Sequence, residues 1–200
     1  MRDVAIKQIV KTLEDRGVEV SSMKALDFFA REGDWQTAYY ARRVSEIHAW
    51  EIDPLYEPAL RRNLPINAKI TIGDSHSLAR SCRTKFDLVV LDNPQGCYGI
   101  GYCEHFDALD AVLPLLKDSA VIILNVKTKP FNYEDKIEWR RRRNLFYGRE
   151  ASELTEDFVH EFYERLLGKH GFITDFSFLT IRPQEEGLLA YTAKLSRVKR

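Results

Sequence analysis

Short apolar runs alternate with amphipathic stretches along most of this chain, and this alternation constrains the fold more than any other feature. The apolar runs have the length and composition of buried strands, and they cover residues 25–29, 47–52, 68–72, 86–91 and 120–126. Amphipathic stretches separate them, most clearly at 105–117, where the apolar residues share one helical face. Repeated strand–helix units build a parallel sheet with helices on both faces. We therefore predict a doubly wound α/β fold.

The two ends of the chain complete this sheet. An amphipathic helix is predicted within residues 1–17, and a second one over about 154–167. Two strand-like runs follow at 173–181 and 188–195, and the loop between them is too short for the crossover helix of a parallel pair. The sequence thus predicts a mostly parallel, seven-stranded sheet with an antiparallel last strand.

Length and composition indicate one globular domain over residues 1–200. The chain has 200 residues, of which 44% are hydrophobic, so it can bury one sizeable core. It contains neither an apolar run of membrane-spanning length nor a signal-peptide pattern. The three cysteines, Cys82, Cys97 and Cys103, are too few for a disulfide framework, and they lack zinc-ligand spacing with His105. We expect a cytoplasmic protein without a metal site or membrane contact.

The formal net charge of zero conceals a segregation of charge. Residues 127–149 carry eight Lys or Arg against three Asp or Glu, and 194–200 carry four against none, so the rest of the chain sums to −9. The polar stretch at 127–153 is too long for an ordinary connection, which favours a lid or a substrate-binding segment. It holds Trp139 and the run Arg140, Arg141, Arg142 and Arg143, which could stack a nucleic-acid base and hold phosphates. The same run would equally suit a solvated helix face.

Residues that follow the predicted strands are the candidates for chemistry, because ligands of open α/β sheets bind beyond the carboxyl ends of the strands. An acidic residue ends the second strand, Glu51, 24 residues after Asp27 at the end of the first. This spacing is near the one at which a carboxylate reaches a bound ribose. A dinucleotide site would need several glycines in the first loop for the pyrophosphate, and only Gly33 is present there.

The strand ends resemble those of class I S-adenosylmethionine-dependent methyltransferases over roughly residues 24–195. In that family the first strand reads D-x-F-A-G-x-G-x-x-x-T, which this chain matches at Asp27, Phe29, Ala30, Gly33 and Thr37 and departs from at Arg31. The resemblance implies S-adenosylmethionine as cofactor. It also implies that Glu51 accepts the ribose hydroxyls, that Ile52 lies on the adenine, and that Asp74, followed by Ser75, receives the adenine amino group.

The residues after the fourth strand resemble the (D/N)-P-P-(Y/F) motif of methyltransferases that modify amino groups of bases. Asp92 and Pro94 match, whereas Asn93 and Gln95 do not, so Tyr98 or Tyr102 would have to supply the stacking aromatic. The resemblance implies methyl transfer to a base nitrogen in RNA or DNA. Asp92 would face both the cofactor and the acceptor amine, with Asn93 and Pro94 beside it.

Three alternatives remain at this point. Ribose 2′-O-methyltransferases use a Lys-Asp-Lys-Glu tetrad, which Lys7, Asp92, Lys127 and Glu186 could form, with a lysine of lowered pKa as the base. A catalytically inactive binding module would explain Arg31 and the incomplete strand-four motif. A small-molecule or protein acceptor would leave the basic segment without a substrate role.

Overall fold

The structure is a computed structural model that describes residues 4–92, 97–98, 102–129, 137–148, 154–183 and 186–198, with the backbone alone at 97–98 and 102–104. One seven-stranded sheet runs through it in the order β3-β2-β1-β4-β5-β7-β6. Its strands are β1 (Lys24–Asp27), β2 (Glu46–Glu51), β3 (Lys69–Ile72), β4 (Phe86–Leu91), β5 (Leu116–Lys127), β6 (Phe172–Ile181) and β7 (Leu188–Arg197). The strands from β1 to β5 pair in parallel, whereas β7 is antiparallel to β5 and β6. This confirms the predicted fold class.

Helices cover both faces of the sheet. They are α1 (Val4–Asp15), α2 (Gln36–Tyr40), α3 (Glu57–Asn63), α4 (Ser75–Ser81), α5 (Glu104–Val112), α6 (Ile137–Tyr147) and α7 (Glu156–Lys169). Short 3-10 turns lie at Val20–Ser22, Pro54–Tyr56 and Leu113–Leu115, and a two-residue hairpin pairs Cys97–Tyr98 with Tyr102–Cys103. Among the described helices, none is long and apolar enough to cross a membrane.

Alternate residues of the central strands feed two separate cores, which is why these runs are mostly apolar. On β4, Leu88 and Val90 pack with the apolar face of α1, while Val89 and Leu91 pack with α5 and α7. The central strands are therefore buried on both sides. Polar side chains of these strands lie mostly near their ends, and this places the candidate site at their carboxyl edge.

The helix predicted at 105–117 ends earlier than expected. α5 stops at Val112, a 3-10 turn spans Leu113–Leu115, and β5 already begins at Leu116. Pro114 explains the difference, because proline has no N–H to donate and disfavours helical backbone at the residue before it. Leu115 and Leu116 remain apolar because they are buried at the start of the strand instead of on the helix face.

The helix of the basic segment, α6, is fastened to the end of β5. Arg143 is 1% exposed, and its Nη2 donates to the carbonyl oxygens of Lys127 and Thr128 at 2.9 Å each. The guanidinium also lies 5.5 Å from the ring centre of Trp139 and 5.4 Å from that of Tyr147. Arg143 thus acts as an internal brace between helix and sheet.

Arg143→Ala should lower the free energy of unfolding by about 3 kcal/mol, because it removes a buried cation and leaves two carbonyls at the end of β5 without this donor. The matched control is Arg141→Ala on the same helix, which breaks an exposed pair with Glu138 and should cost no more than about 1 kcal/mol. Urea denaturation measures the difference. Equal losses in the two variants would contradict the bracing role.

Candidate functional site

Asp27, at the end of β1, is buried and holds the following loop and helix in place. Its carboxylate accepts hydrogen bonds from the hydroxyls of Thr37 (2.5 Å) and Tyr40 (2.7 Å) on α2, and from the N–H of Phe29 (3.2 Å). Burial raises the pKa of Asp27 to about 6 against the lowering effect of these bonds, and the charge of Asp92 adds to the rise. Two carboxylates thus act on one another at this edge.

The loop after β1 has a left-handed backbone at two positions. Gly33 has a φ of 65°, and a side chain there would meet Leu60 and Leu64 at 3.0–3.1 Å. Arg31 has a φ of 46°, a conformation that costs a residue with a Cβ roughly 1–2 kcal/mol. The position that departs from the methyltransferase motif therefore keeps the backbone conformation that glycine favours. Its side chain turns toward the ring of Tyr56, with Cζ 5.7 Å from the ring centre.

Glu51, at the end of β2, joins two loops through its carboxylate. Oε2 accepts the N–H of Arg31 at 2.7 Å and Oε1 accepts the N–H of Asp53 at 2.9 Å. A carboxylate has about four acceptor sites, so about two remain after these bonds. The next side chain, Ile52, is 65% exposed, which is unusual for a large apolar residue beside a buried strand. An acceptor and an apolar surface thus lie side by side.

Asp74 and Ser75, which follow β3, both have structural partners. Asp74 caps α4 by accepting the N–H groups of His76 (3.3 Å) and Ser77 (3.1 Å) and the hydroxyl of Ser77 (2.6 Å). Burial raises its pKa, but these hydrogen bonds outweigh burial and hold the pKa below the ordinary value. The Ser75 hydroxyl donates to the carbonyl of Phe28 at 2.7 Å. The adenine contact of this pair stays a prediction.

The remaining positions of the first-strand motif line the base of the loop. The N–H of Ala30 donates to the carbonyl of Trp50 on β2 at 2.9 Å. Phe29 is half-buried and packs edge-on against Phe28, with ring centres 4.8 Å apart. The loop is therefore tied to the second strand by backbone as well as side-chain contacts.

Asp92, just beyond β4, lies at the centre of a polar cluster that the sequence did not predict. Its Oδ1 accepts Nδ2 of Asn125 and Nη1 of Arg182, each at 2.7 Å. Its Oδ2 faces Nη2 of Arg182 at 3.3 Å and also accepts Nε2 of Gln36. Arg182 donates to Oδ1 of Asn125 as well, which closes the cluster. A carboxylate so surrounded is a hydrogen-bond acceptor held in a fixed orientation.

The partners of Asp92 carry different sequence signals. Asn125 directly follows the apolar run of residues 120–124 on β5 and is 3% exposed, and a buried amide at such a position needs a partner. Gln36 is the first residue of α2, between the motif residues Gly33 and Thr37, which carry the stronger signal. Arg182 begins the turn after β6, where an arginine would ordinarily be read as solvated, yet it is 2% exposed.

The structure does not bring the proposed Lys-Asp-Lys-Glu tetrad together at Asp92. The partners of Asp92 within the described ranges are Gln36, Asn125 and Arg182. The ammonium of Lys7 lies 5.6 Å from the ring centre of Tyr39. Lys127 is buried and donates to the carbonyl oxygen of Glu186 at 2.6 Å, while the carboxylate of Glu186 pairs with Lys129 at 2.6 Å.

Parts of the predicted acceptor site lie outside the described residues. Asn93, Pro94 and Gln95 fall in the gap after residue 92, and Tyr98 and Tyr102 are described by backbone alone. Within the described residues, no group of three or more His, Cys, Asp or Glu side chains could hold a metal ion.

The aromatic and basic side chains predicted to contact substrate are divided between interior and surface. Trp139 is completely buried and Arg143 nearly so, which corrects the expectation that they face a substrate. Arg142 pairs with Asp107 at 2.8 Å and with Glu138 at 2.9 Å. Arg140 and Arg141 are exposed. The division follows from the helix period, which turns only part of a four-residue run toward solvent.

The titration of Asp27 should be visible in the stability of the protein. A carboxyl whose pKa is about 6 when folded and 3.8 when unfolded binds its proton more tightly in the folded state. The free energy of unfolding should therefore fall by about 3 kcal/mol as the pH rises from about 4 to above 6. Asp27→Asn removes this group, so the stability of wild type relative to the variant should decline over that range. Parallel stability–pH curves for the two proteins would rule out the shift.

Comparison with known proteins establishes the fold. No protein-family model matches the chain, and a search of the curated proteins finds no relative. Among solved structures it is similar to M. jannaschii TYW2 in complex with AdoMet (17% identity, 93% of this chain and 76% of that chain, TM-score 0.59). It is also similar to Trm1 from Pyrococcus horikoshii with S-adenosyl-L-methionine (14% identity, 99% and 56%, TM-score 0.69).

A third similar structure is a tRNA m1G37 methyltransferase of M. jannaschii (14% identity, 96% of this chain and 49% of that chain, TM-score 0.56). The chain thus spans about half the length of this protein and of Trm1. These likenesses agree with the strand order and the antiparallel β7. The chain has the Rossmann-like fold of S-adenosylmethionine-dependent methyltransferases.

Proposed function

We propose that this chain is an S-adenosylmethionine-dependent methyltransferase that modifies a base nitrogen in nucleic acid, with RNA as the favoured substrate. The observation that carries the proposal is the arrangement at the end of β2. The Glu51 carboxylate is fixed there by two backbone N–H groups and has about two acceptor sites that no described residue fills, beside the exposed Ile52. This pair suits the two hydroxyls of a ribose and the face of an adenine.

The charges near this position also suit the cofactor. S-adenosylmethionine carries a sulfonium and an ammonium, and both are favoured near carboxylates in a site shielded from water. Asp27 and Glu51 end adjacent parallel strands and are 1% and 6% exposed. A pyrophosphate would be repelled by the same groups, so a dinucleotide is a poorer fit.

The surroundings of Asp92 favour a nitrogen acceptor over a ribose hydroxyl. A hydroxyl needs a base to remove its proton, whereas an amine can attack the methyl carbon with its lone pair and lose its proton after the carbon–sulfur bond breaks. Asp92 can accept a hydrogen bond from such an amine, while its partners among the described residues are two amides and a guanidinium, none of which is a base that removes a hydroxyl proton. The longest contact, from Arg182 Nη2 at 3.3 Å, is the easiest for an incoming N–H to share.

Two observations support RNA as the substrate. One of the similar solved structures is named as a tRNA methyltransferase. The outer face of α6 also presents Arg140 and Arg141, together with the exposed apolar side chains of Ile137 (72%) and Leu145 (67%), beside the carboxyl end of β5. Guanidinium and apolar groups together suit phosphates and the faces of unstacked bases.

Glu51→Ala should weaken the binding of S-adenosylhomocysteine by about 1.5–3 kcal/mol, or roughly 10- to 150-fold, because the variant no longer accepts the ribose hydrogen bonds with a charged group. Isothermal titration calorimetry measures the affinity. The matched control is Glu57→Ala, which removes only an exposed pair with Arg61. If Glu51→Ala, still folded, binds as tightly as this control, the ribose assignment is wrong.

The Arg140→Ala/Arg141→Ala double variant should bind RNA more weakly and with a shallower salt dependence. For every phosphate that these side chains neutralise, the slope of log K against log [salt] should fall by ~0.7–0.9, while the affinity for S-adenosylhomocysteine stays unchanged. Arg61→Ala/Arg62→Ala on α3 removes the same charge from exposed positions elsewhere and serves as control. Equal slopes in the two double variants would show that α6 makes no specific phosphate contact.

A further inference from the structure

The buried guanidinium of Arg182 has no assigned role, although it lies within the candidate site. Arg182 directly follows β6, the outermost strand of the sheet, and its side chain reaches inward to the residue after β4. Its side chain is 3% exposed, and that of Asp92 is 18% exposed. A cation is seldom buried to this extent unless a specific partner requires it.

Every hydrogen bond that the described residues give to this guanidinium involves Asp92 or Asn125. Nη1 donates to Oδ1 of Asp92 at 2.7 Å and to Oδ1 of Asn125, and Nη2 faces Oδ2 of Asp92 at 3.3 Å. Nε has no acceptor among the described residues. The side chain therefore does not fasten the β6–β7 turn in general. It is directed at one carboxylate and at the amide that holds the same carboxylate.

We infer that Arg182 is a positioning residue for methyl transfer: its two-point contact fixes the orientation of the Asp92 carboxylate, and its charge compensates that carboxylate in the interior. The inference rests on the proposed function, in which Asp92 accepts a hydrogen bond from the acceptor amine. A carboxylate held by two guanidinium nitrogens cannot rotate freely about its Cβ–Cγ bond. The amine would thus be presented to the methyl group in one direction, which is what an in-line displacement requires.

The balance of charge supports the same role. Asp92 accepts hydrogen bonds from the amides of Gln36 on α2 and Asn125 on β5 and from the guanidinium of Arg182. Asp27 on β1 and the phenol of Tyr40 on α2 interact with it through charge. Of these groups, all among the described residues, Arg182 is the one that carries a positive charge. Without it, no cation among them would offset the repulsion between Asp27 and Asp92. The pair would then take up a proton at a higher pH than in the wild type.

The test compares Arg182→Gln, Arg182→Lys and the control Arg61→Gln, which breaks an exposed pair with Glu57 on α3. For each variant we measure the affinity for S-adenosylhomocysteine and the thermal stability. We also measure kcat, KM and the pH profile of methyl transfer from tritiated S-adenosylmethionine to total RNA. Arg182→Gln should lower kcat about 10- to 100-fold, with the affinity for S-adenosylhomocysteine within about threefold of wild type. The acidic limb of the kcat–pH profile of Arg182→Gln should move to higher pH, whether Asp27 or Asp92 takes up the proton.

Arg182→Lys separates charge from orientation and remains informative if Arg182→Gln does not fold. Lysine keeps the charge but offers no planar two-point contact, so the acidic limb should stay near that of wild type while kcat still falls about tenfold. Arg61→Gln should match wild type in every measurement. A merely structural Arg182 would instead lower activity and cofactor affinity together, in proportion to the folded fraction, with no movement of the acidic limb.

The failure of this inference and the failure of the proposed function give different results. If wild type neither binds S-adenosylhomocysteine nor methylates RNA, the proposed function fails and the inference fails with it. If wild type is active and the two Arg182 variants keep its kcat and its pH profile, only the inference is overturned.

Discussion

Buried carboxylates at one edge of the sheet organise this structure, because each must be given partners when it leaves water. Asp27 accepts hydrogen bonds from side chains of α2, and Glu51 accepts them from the loops after β1 and β2. Asp92 accepts them from side chains of α2, β5 and the turn after β6. These contacts draw the ends of separate elements to a common place. The carboxyl edge is thus shaped by the same groups that we propose to use in binding and transfer.

This arrangement also explains why the departures from the family motifs do not by themselves indicate an inactive module. Arg31 replaces a glycine but adopts the left-handed backbone that glycine favours, and its side chain turns toward Tyr56. Its N–H remains available to Glu51 at 2.7 Å. The cost of that backbone conformation is met by the surrounding contacts, so the loop keeps its path.

The sequence predicted the sheet well because the signal for a strand buried on both faces is local. In the run Phe86–Leu91 five of the six residues are apolar, and β4 has these bounds. The end of α5 was misplaced because the effect of Pro114 competed with an apolar pattern that continues through Leu116. The acidic residues Asp27 and Glu51 could be placed at strand ends because they directly follow apolar runs that are visible in the sequence.

The partners of Asp92 could not be found in this way. Gln36, Asn125 and Arg182 lie 56, 33 and 90 residues away from it, and only the folded sheet brings them together. The basic segment shows the same difficulty. Its charge was evident in the sequence, but the inward side chain of Arg143 depends on carbonyls at the end of β5. Local patterns predict the elements, while buried polar pairs depend on the strand order.

A crystal structure of the protein with S-adenosylhomocysteine tests the central claim most directly. We expect the two ribose hydroxyls at hydrogen-bonding distance, about 2.5–3.0 Å, from the Glu51 carboxylate, with the adenine against Ile52 and the sulfur directed toward Asp92. A ligand bound with its ribose away from Glu51, or at another place in the fold, would contradict the assignment of the carboxyl edge as the cofactor site.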